Sequence, residues 1–149
     1  MKKFLSVLIL GLLVASSSSS ASAVTQVNVT PQFKINKKNP IVTIKVAGLP
    51  LDHGIYISQC MAPKKAGDVP TSCNPSTASK LWISSVAADQ KMGAKSGTSK
   101  LTMKLDKYFD KGDCIHTTCV LFVTSDHNAS DDRSEDQALK IKFDGLLPF

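Results

Sequence analysis

The chain has 149 residues, 42% hydrophobic and 20% charged, with 18 basic against 12 acidic side chains and a formal net charge of +6. That length suits one domain with a real core, and the composition excludes a disordered polar chain. There is no run of five like charges; so mild a basic excess favours solubility and weak attraction to anionic surfaces, and does not identify a nucleic-acid binder.

The first element in chain order is a leader. Met1-Lys2-Lys3 is a short basic start, Phe4 to Val14 is almost wholly apolar, and the serine run Ser16 to Ser20 leads into Ala21-Ser22-Ala23. A charged start, a short apolar stretch and a small-residue A-x-A site are the parts of a signal peptide, and a membrane helix would need about 20 apolar residues. Cleavage is expected between Ala23 and Val24, which gives a signal peptide over 1–23 and a single secreted domain over 24–149. Without Lys2 and Lys3 the balance is 16 basic to 12 acidic residues, net +4.

Seven strands follow, each marked by period-two alternation and β-branched residues. "TQVNVTP" places Val27 and Val29 on one face and stops at Pro31. "IVTIKVAGL" sets Val42, Ile44 and Val46 against Thr43 and Lys45. "GIYISQC" alternates Ile55 and Ile57 with Tyr56, Ser58 and Cys60. "KLWISSV" is a shorter candidate over 81–86. "SKLTMKLD" points Leu101, Met103 and Leu105 one way. "CVLFVTSD" is apolar on both faces, the pattern of a strand inside a sheet. "QALKIKFDG" sets Leu139, Ile141 and Phe143 inward. No periodic run is long enough for a helix of ten residues. Seven short antiparallel strands with turn signals between them predict an all-β immunoglobulin-like antiparallel β-sandwich.

Four cysteines in an exported chain allow three pairings, in a compartment where disulfides persist. Cys60–Cys73 and Cys114–Cys119 are chosen because each closes a short loop beside a predicted strand. Chain entropy assigns them roughly 3 and about 2 kcal/mol. Cys114 and Cys119 flank His116, but Cys60 and Cys73 are too widely spaced for a zinc site, so no metal is expected.

The order "GIYISQC", "SCNP", "SKLTMKL", "DKYFDKGDC", C-x₄-C, a polar loop and "QALKIKF" resembles the neocarzinostatin family, over about Val27 to Phe143. Members are small exported apoproteins that carry enediyne antibiotics. The resemblance implies a seven-stranded sandwich with these two disulfides, a cleft at one end for an apolar chromophore held non-covalently, no catalysis, and some association with DNA. Carried over residue by residue, it implies that Phe109 in "KYFDKG" and Trp82 (or Leu81) stack on the ligand, and that Val120 and Thr124 stand where the family has small or polar cleft residues. Met61 and Ala62 occupy a position where a tryptophan can stand, and the hairpin before Cys114 is shortened; both departures bear on the ligand rather than the fold.

The remaining residues support simpler readings. Trp82 can equally be a core residue, since aromatics bury well anywhere. His53, His116 and His127 fall in loops without a nucleophile partner, so no enzyme is expected. The acidic stretch Asp126 to Asp136 lacks the pattern of a calcium loop and reads as solvated. Lysines 34, 37, 38, 64, 65, 91 and 95 are spread over several loops, with no interleaved aromatics, so DNA association would be weak and salt-sensitive. Asn28 and Asn128 head glycosylation sequons. The expected product is a secreted, non-enzymatic monomer sheltering an apolar small molecule. The competing expectation is an extracellular immunoglobulin-like module that binds protein or matrix through its loops around a filled core.

Overall fold

The computed structural model describes residues 24–145; residues 1–23, where a signal peptide is expected, and residues 146–149 lie outside the described part. All seven expected strands are present, as β1 (Gln26–Thr30), β2 (Ile41–Ala47), β3 (Ile55–Met61), β4 (Lys80–Ile83), β5 (Leu101–Lys104), β8 (Cys119–Ser125) and β9 (Gln137–Ile141). The shortened hairpin before Cys114 is present, and a short helix was not anticipated. Tyr108–Phe109 and Gly112–Asp113 form a two-residue-per-strand hairpin, β6 and β7. A one-turn α-helix, α1 (Ala87–Lys91), follows β4 where only loop was expected. Five residues are too few to show an amphipathic period, so the pattern had nothing to reveal.

The strands make two antiparallel sheets, ordered β1-β2-β5 and β4-β3-β8-β9. β8 lies between β3 and β9; Leu121 and Val123 enter the core while Val120 and Phe122 pack with Cys60 and Ala62 on the other face, which explains why its sequence is apolar on both faces. Alternation sends Val42 and Ile44, Ile55 and Ile57, Leu101 and Met103, Leu121 and Val123, and Ile141 into one core between the sheets. Each such buried side chain contributes about 1.5–3 kcal/mol. Beyond β9, Phe143 bridges Ile35 in parallel, so the link from β1 to β2 is fastened to the end of the chain.

Both disulfides are paired as expected, Cys60 with Cys73 and Cys114 with Cys119. One feature of the core is polar. Gln59, fully buried on the inward face of β3, donates to the Asp106 carbonyl at 2.6 Å and accepts from the Asp106 N–H at 2.9 Å. Asn74 donates to Gln59 Oε1 at 2.9 Å, to Asp106 Oδ2 at 2.8 Å and to Ser79 Oγ at 3.0 Å. The loop that carries Cys73 is thereby tied by hydrogen bonds to the segment after β5, as it is tied by sulphur to β3. A buried polar group is tolerated only when satisfied in this way.

Candidate functional site

The outward face of the four-stranded sheet carries a cluster of aromatic side chains that the core does not use. Register places Trp82 of β4 beside Tyr56 of β3, and Tyr56 beside Thr124 of β8. Leu81 and Ile83 point into the core, so Trp82 must point away from it. His127, in the 3-10 turn His127–Ala129 just after β8, completes the group. Its ring meets the Trp82 ring edge-on at 5.1 Å between centroids and stacks on Tyr56 at 6.1 Å, while the Tyr56 hydroxyl and His127 Nδ1 are 2.8 Å apart. Tyr56 and Trp82 lie 6.2 Å apart, and Lys80 Nζ sits 4.7 Å from the centre of the Tyr56 ring.

Asp126 positions this group from below. It is 1% exposed, with no lysine or arginine among the described residues in ion-pair contact. Its Oδ2 accepts from the Trp82 indole N–H at 2.9 Å and the Gly54 N–H at 3.0 Å; its Oδ1 accepts from the Asn128 N–H at 2.9 Å and so caps the 3-10 turn. Burial pushes the carboxyl up, but the hydrogen bonds from Trp82, Asn128 and Gly54, with His127 nearby, outweigh it and hold Asp126 below the usual carboxylate range. Asp89 of α1, also buried, accepts from Ser84 Oγ at 2.7 Å and from Asn128 Nδ2 at 3.2 Å. Asn128 therefore bridges two buried carboxylates. Burial, then the charges of Asp126 and Asp89, raise the Tyr56 phenol above its ordinary value. Gly54 is required by space: a Cβ there would lie 2.7 Å from Asp126 Oδ2 and from the Ile83 carbonyl.

Three of the four residues expected to touch a ligand share this face. Trp82 is half-buried, Thr124 lies in its row, and Val120 lies further down the strand, buried with Phe122, Cys60 and Ala62 beside the Cys60–Cys73 bridge. Phe109 is elsewhere. It is 8% exposed and belongs to the core between the sheets, where its ring fills the space a Gly112 side chain would take. Phe109 and Trp82 therefore do not lie on one face. The sequence reading missed Tyr56, His127 and Asp126 as a group. The outward direction of Tyr56 was readable from the alternation in β3, but its partners lie 26 or more positions away.

The acidic stretch divides. Asp131 and Asp132 are exposed, as a solvated loop requires, whereas Asp126 and Glu135 are buried. A cleft of about 500 Å³ runs between Gly48–His53 and Asp132–Glu135 at this end of the sandwich. Among the described residues, no group of three or more His, Cys, Asp or Glu side chains is arranged to hold a metal. Two of the histidine rings are held by aspartates, His53 by Asp52 at 2.8 Å and His116 by Asp113 at 2.7 Å. His127 is on Tyr56, and among the described residues none of the three is hydrogen-bonded to a serine. Of the two sequons, Asn28 is exposed on β1, while the Asn128 amide is engaged with Asp89.

No helix among the described residues is long and apolar enough to cross a membrane. No family model matches the chain, and no curated protein matches it. Among solved structures, macromomycin matches with a TM-score of 0.53 at 21% sequence identity, over 80% of this chain and 99% of macromomycin. The chain thus has the fold of macromomycin, and this likeness supports the resemblance to the neocarzinostatin family carried by its cysteine spacing and strand order.

Proposed function

We propose that the protein is a secreted, non-enzymatic carrier that holds an apolar small molecule non-covalently against the outward face of the four-stranded sheet. The observation that carries this reading is the partly open cluster of Trp82, Tyr56 and His127, set on a buried carboxylate rather than packed into the core. A ring system could stack on these side chains at low entropic cost, because Asp126 and the His127–Tyr56 hydrogen bond already fix their positions. Thr124 would border the ligand and Val120 would floor the lower end of the face. Phe109 would support the hairpin rather than touch the ligand. The fold likeness to macromomycin agrees with a carrier role, and the chemistry of the cargo is left to experiment.

Native mass spectrometry on protein purified from its own culture medium tests the reading: a bound non-protein mass is expected. Trp82→Ala and Tyr56→Ala should leave the protein folded and abolish uptake of a hydrophobic dye. Repeated absence of a bound mass, with dye uptake unchanged in both variants, would overturn the carrier. It would favour a module that binds protein or matrix through its loops.

A further inference from the structure

Glu135 is 3% exposed, and among the described residues no lysine, arginine or histidine lies in ion-pair contact with it. Arg133, the arginine of the same loop, is committed to Asp136. A buried carboxylate must be offset by hydrogen bonds or by a cation; Asp126 accepts from Gly54, Trp82 and Asn128, whereas the Glu135 side chain accepts one hydrogen bond among the described residues. Glu135 Oε2 accepts from the backbone N–H of Thr25 at 2.8 Å. Thr25 is clamped twice more, its Oγ1 donating to the Gly48 carbonyl at 3.3 Å and its carbonyl accepting from Gln137 Nε2 at 2.7 Å. The residue ahead of it, Val24, is exposed, and Val24 is the residue that the A-x-A site would leave as the new N-terminus.

We propose that the α-ammonium released at Val24 by removal of residues 1–23 is the counter-ion of buried Glu135. Successive backbone nitrogens are roughly 3–3.6 Å apart, so the ammonium would lie within roughly 6 Å of Glu135 Oε2, inside the screening length of about 8 Å at physiological salt. Before cleavage the same nitrogen is a neutral amide, and the carboxylate has the Thr25 N–H but no cationic partner among the described residues. The processing site is therefore also a stability site: cutting the leader completes a charge pair that locks β1 to the loop before β9. Glu135 also lines the cleft with Gly48 and His53, so the same pair fixes one wall of that cleft.

The test uses the full-length gene exported from a secretion host in four forms: unaltered, with Gly-Ser-Gly inserted between Ala23 and Val24, Glu135→Gln, and both together. The insertion leaves the A-x-A site intact and moves the ammonium by up to about 10 Å. The unaltered protein should have an intact mass beginning at Val24. The insertion should raise the unfolding equilibrium constant in urea roughly tenfold when Glu135 is present, and hardly at all in the Glu135→Gln background. Equal losses in both backgrounds, or no loss in either, overturn the pair; a mass beginning at another residue overturns the identity of the ammonium. Where Glu135→Gln does not fold, the α-amine pKa by NMR decides. A value above the ordinary range of about 7.7–8.0 in the unaltered protein but not in the insertion supports the pair; equal values overturn it.

Discussion

Removing the Asp126 carboxylate should be among the most damaging single changes outside the apolar core. It accepts from the Gly54 and Asn128 amides and from the Trp82 indole. Hydrogen bonds to a charged group contribute about 1.5–3 kcal/mol each. Trp82 and Asn128 are partly open and can recover water, whereas the Gly54 N–H is buried and cannot. Asp126→Ala should therefore cost about 3–4 kcal/mol. Asp126→Asn keeps one acceptor oxygen but turns an NH₂ toward a donor, and should cost about 2 kcal/mol. The chain contains one tryptophan, so urea denaturation followed by Trp82 emission reads stability and the local environment together. The pH dependence gives an independent check. The folded-state pKa of Asp126 is held below the unfolded value of about 3.9. Its contribution is thus present above about pH 4 and is lost as pH falls through the lower folded value. The stability gap between wild type and Asp126→Ala should be full at pH 7 and narrow in acid. A gap under about 1 kcal/mol at pH 7, or one that persists unchanged at pH 2, would refute the assignment of Asp126 as the anchor of the aromatic cluster.

Further predictions follow from the same geometry. Gly54→Ala places a methyl 2.7 Å from both Asp126 Oδ2 and the Ile83 carbonyl; thermal denaturation should show a loss of about 1–3 kcal/mol, with quenched or shifted Trp82 emission. Gln59→Leu leaves the Asp106 N–H and carbonyl without partners and frees one arm of Asn74. It should cost about 2–4 kcal/mol in chemical denaturation, and a neutral outcome would mean that the polar plug relaxes around water. Replacing Cys60 and Cys73 together by alanine removes a link of sequence separation 13 and should cost about 3 kcal/mol. Peptide mapping of the unaltered protein without reductant should recover this pair and Cys114–Cys119 as separate crosslinks.

The strands and the core could be read from sequence because they depend on local alternation. Val42, Ile44 and Val46 announce their shared face with no knowledge of the rest of the chain, and β8 announces its central place by having no polar face. The polar positions could not be read in that way. Gln59 continues the inward series of Ile55 and Ile57, yet only Asn74 and Asp106, brought in by other loops, make its burial possible. Asp126 and Glu135 look like members of a solvated acidic run, and their neighbours Asp131 and Asp132 are exposed as such a run requires. Their burial is decided by Gly54, Trp82 and Thr25, which lie 72, 44 and 110 positions away. The same holds for the candidate site. The outward direction of Trp82 and Tyr56 follows from alternation, but the ring of His127 reaches them only because a capped 3-10 turn ends β8. Phe109 was expected to be a ligand contact through kinship, and the shortened hairpin folds its ring inward over Gly112.

The fastening of β1 and its following link has a kinetic consequence. Thr25 is held by Glu135 and Gln137, and Ile35 by Lys142 and Asp144. A polypeptide is made from its amino end, so β1 can pair with β2 early, but the anchors that hold its start and the link after it come from residues 135–144. These fastenings form only once close to residue 144 has arrived, as long-range contacts of the slow kind that such distant pairings impose.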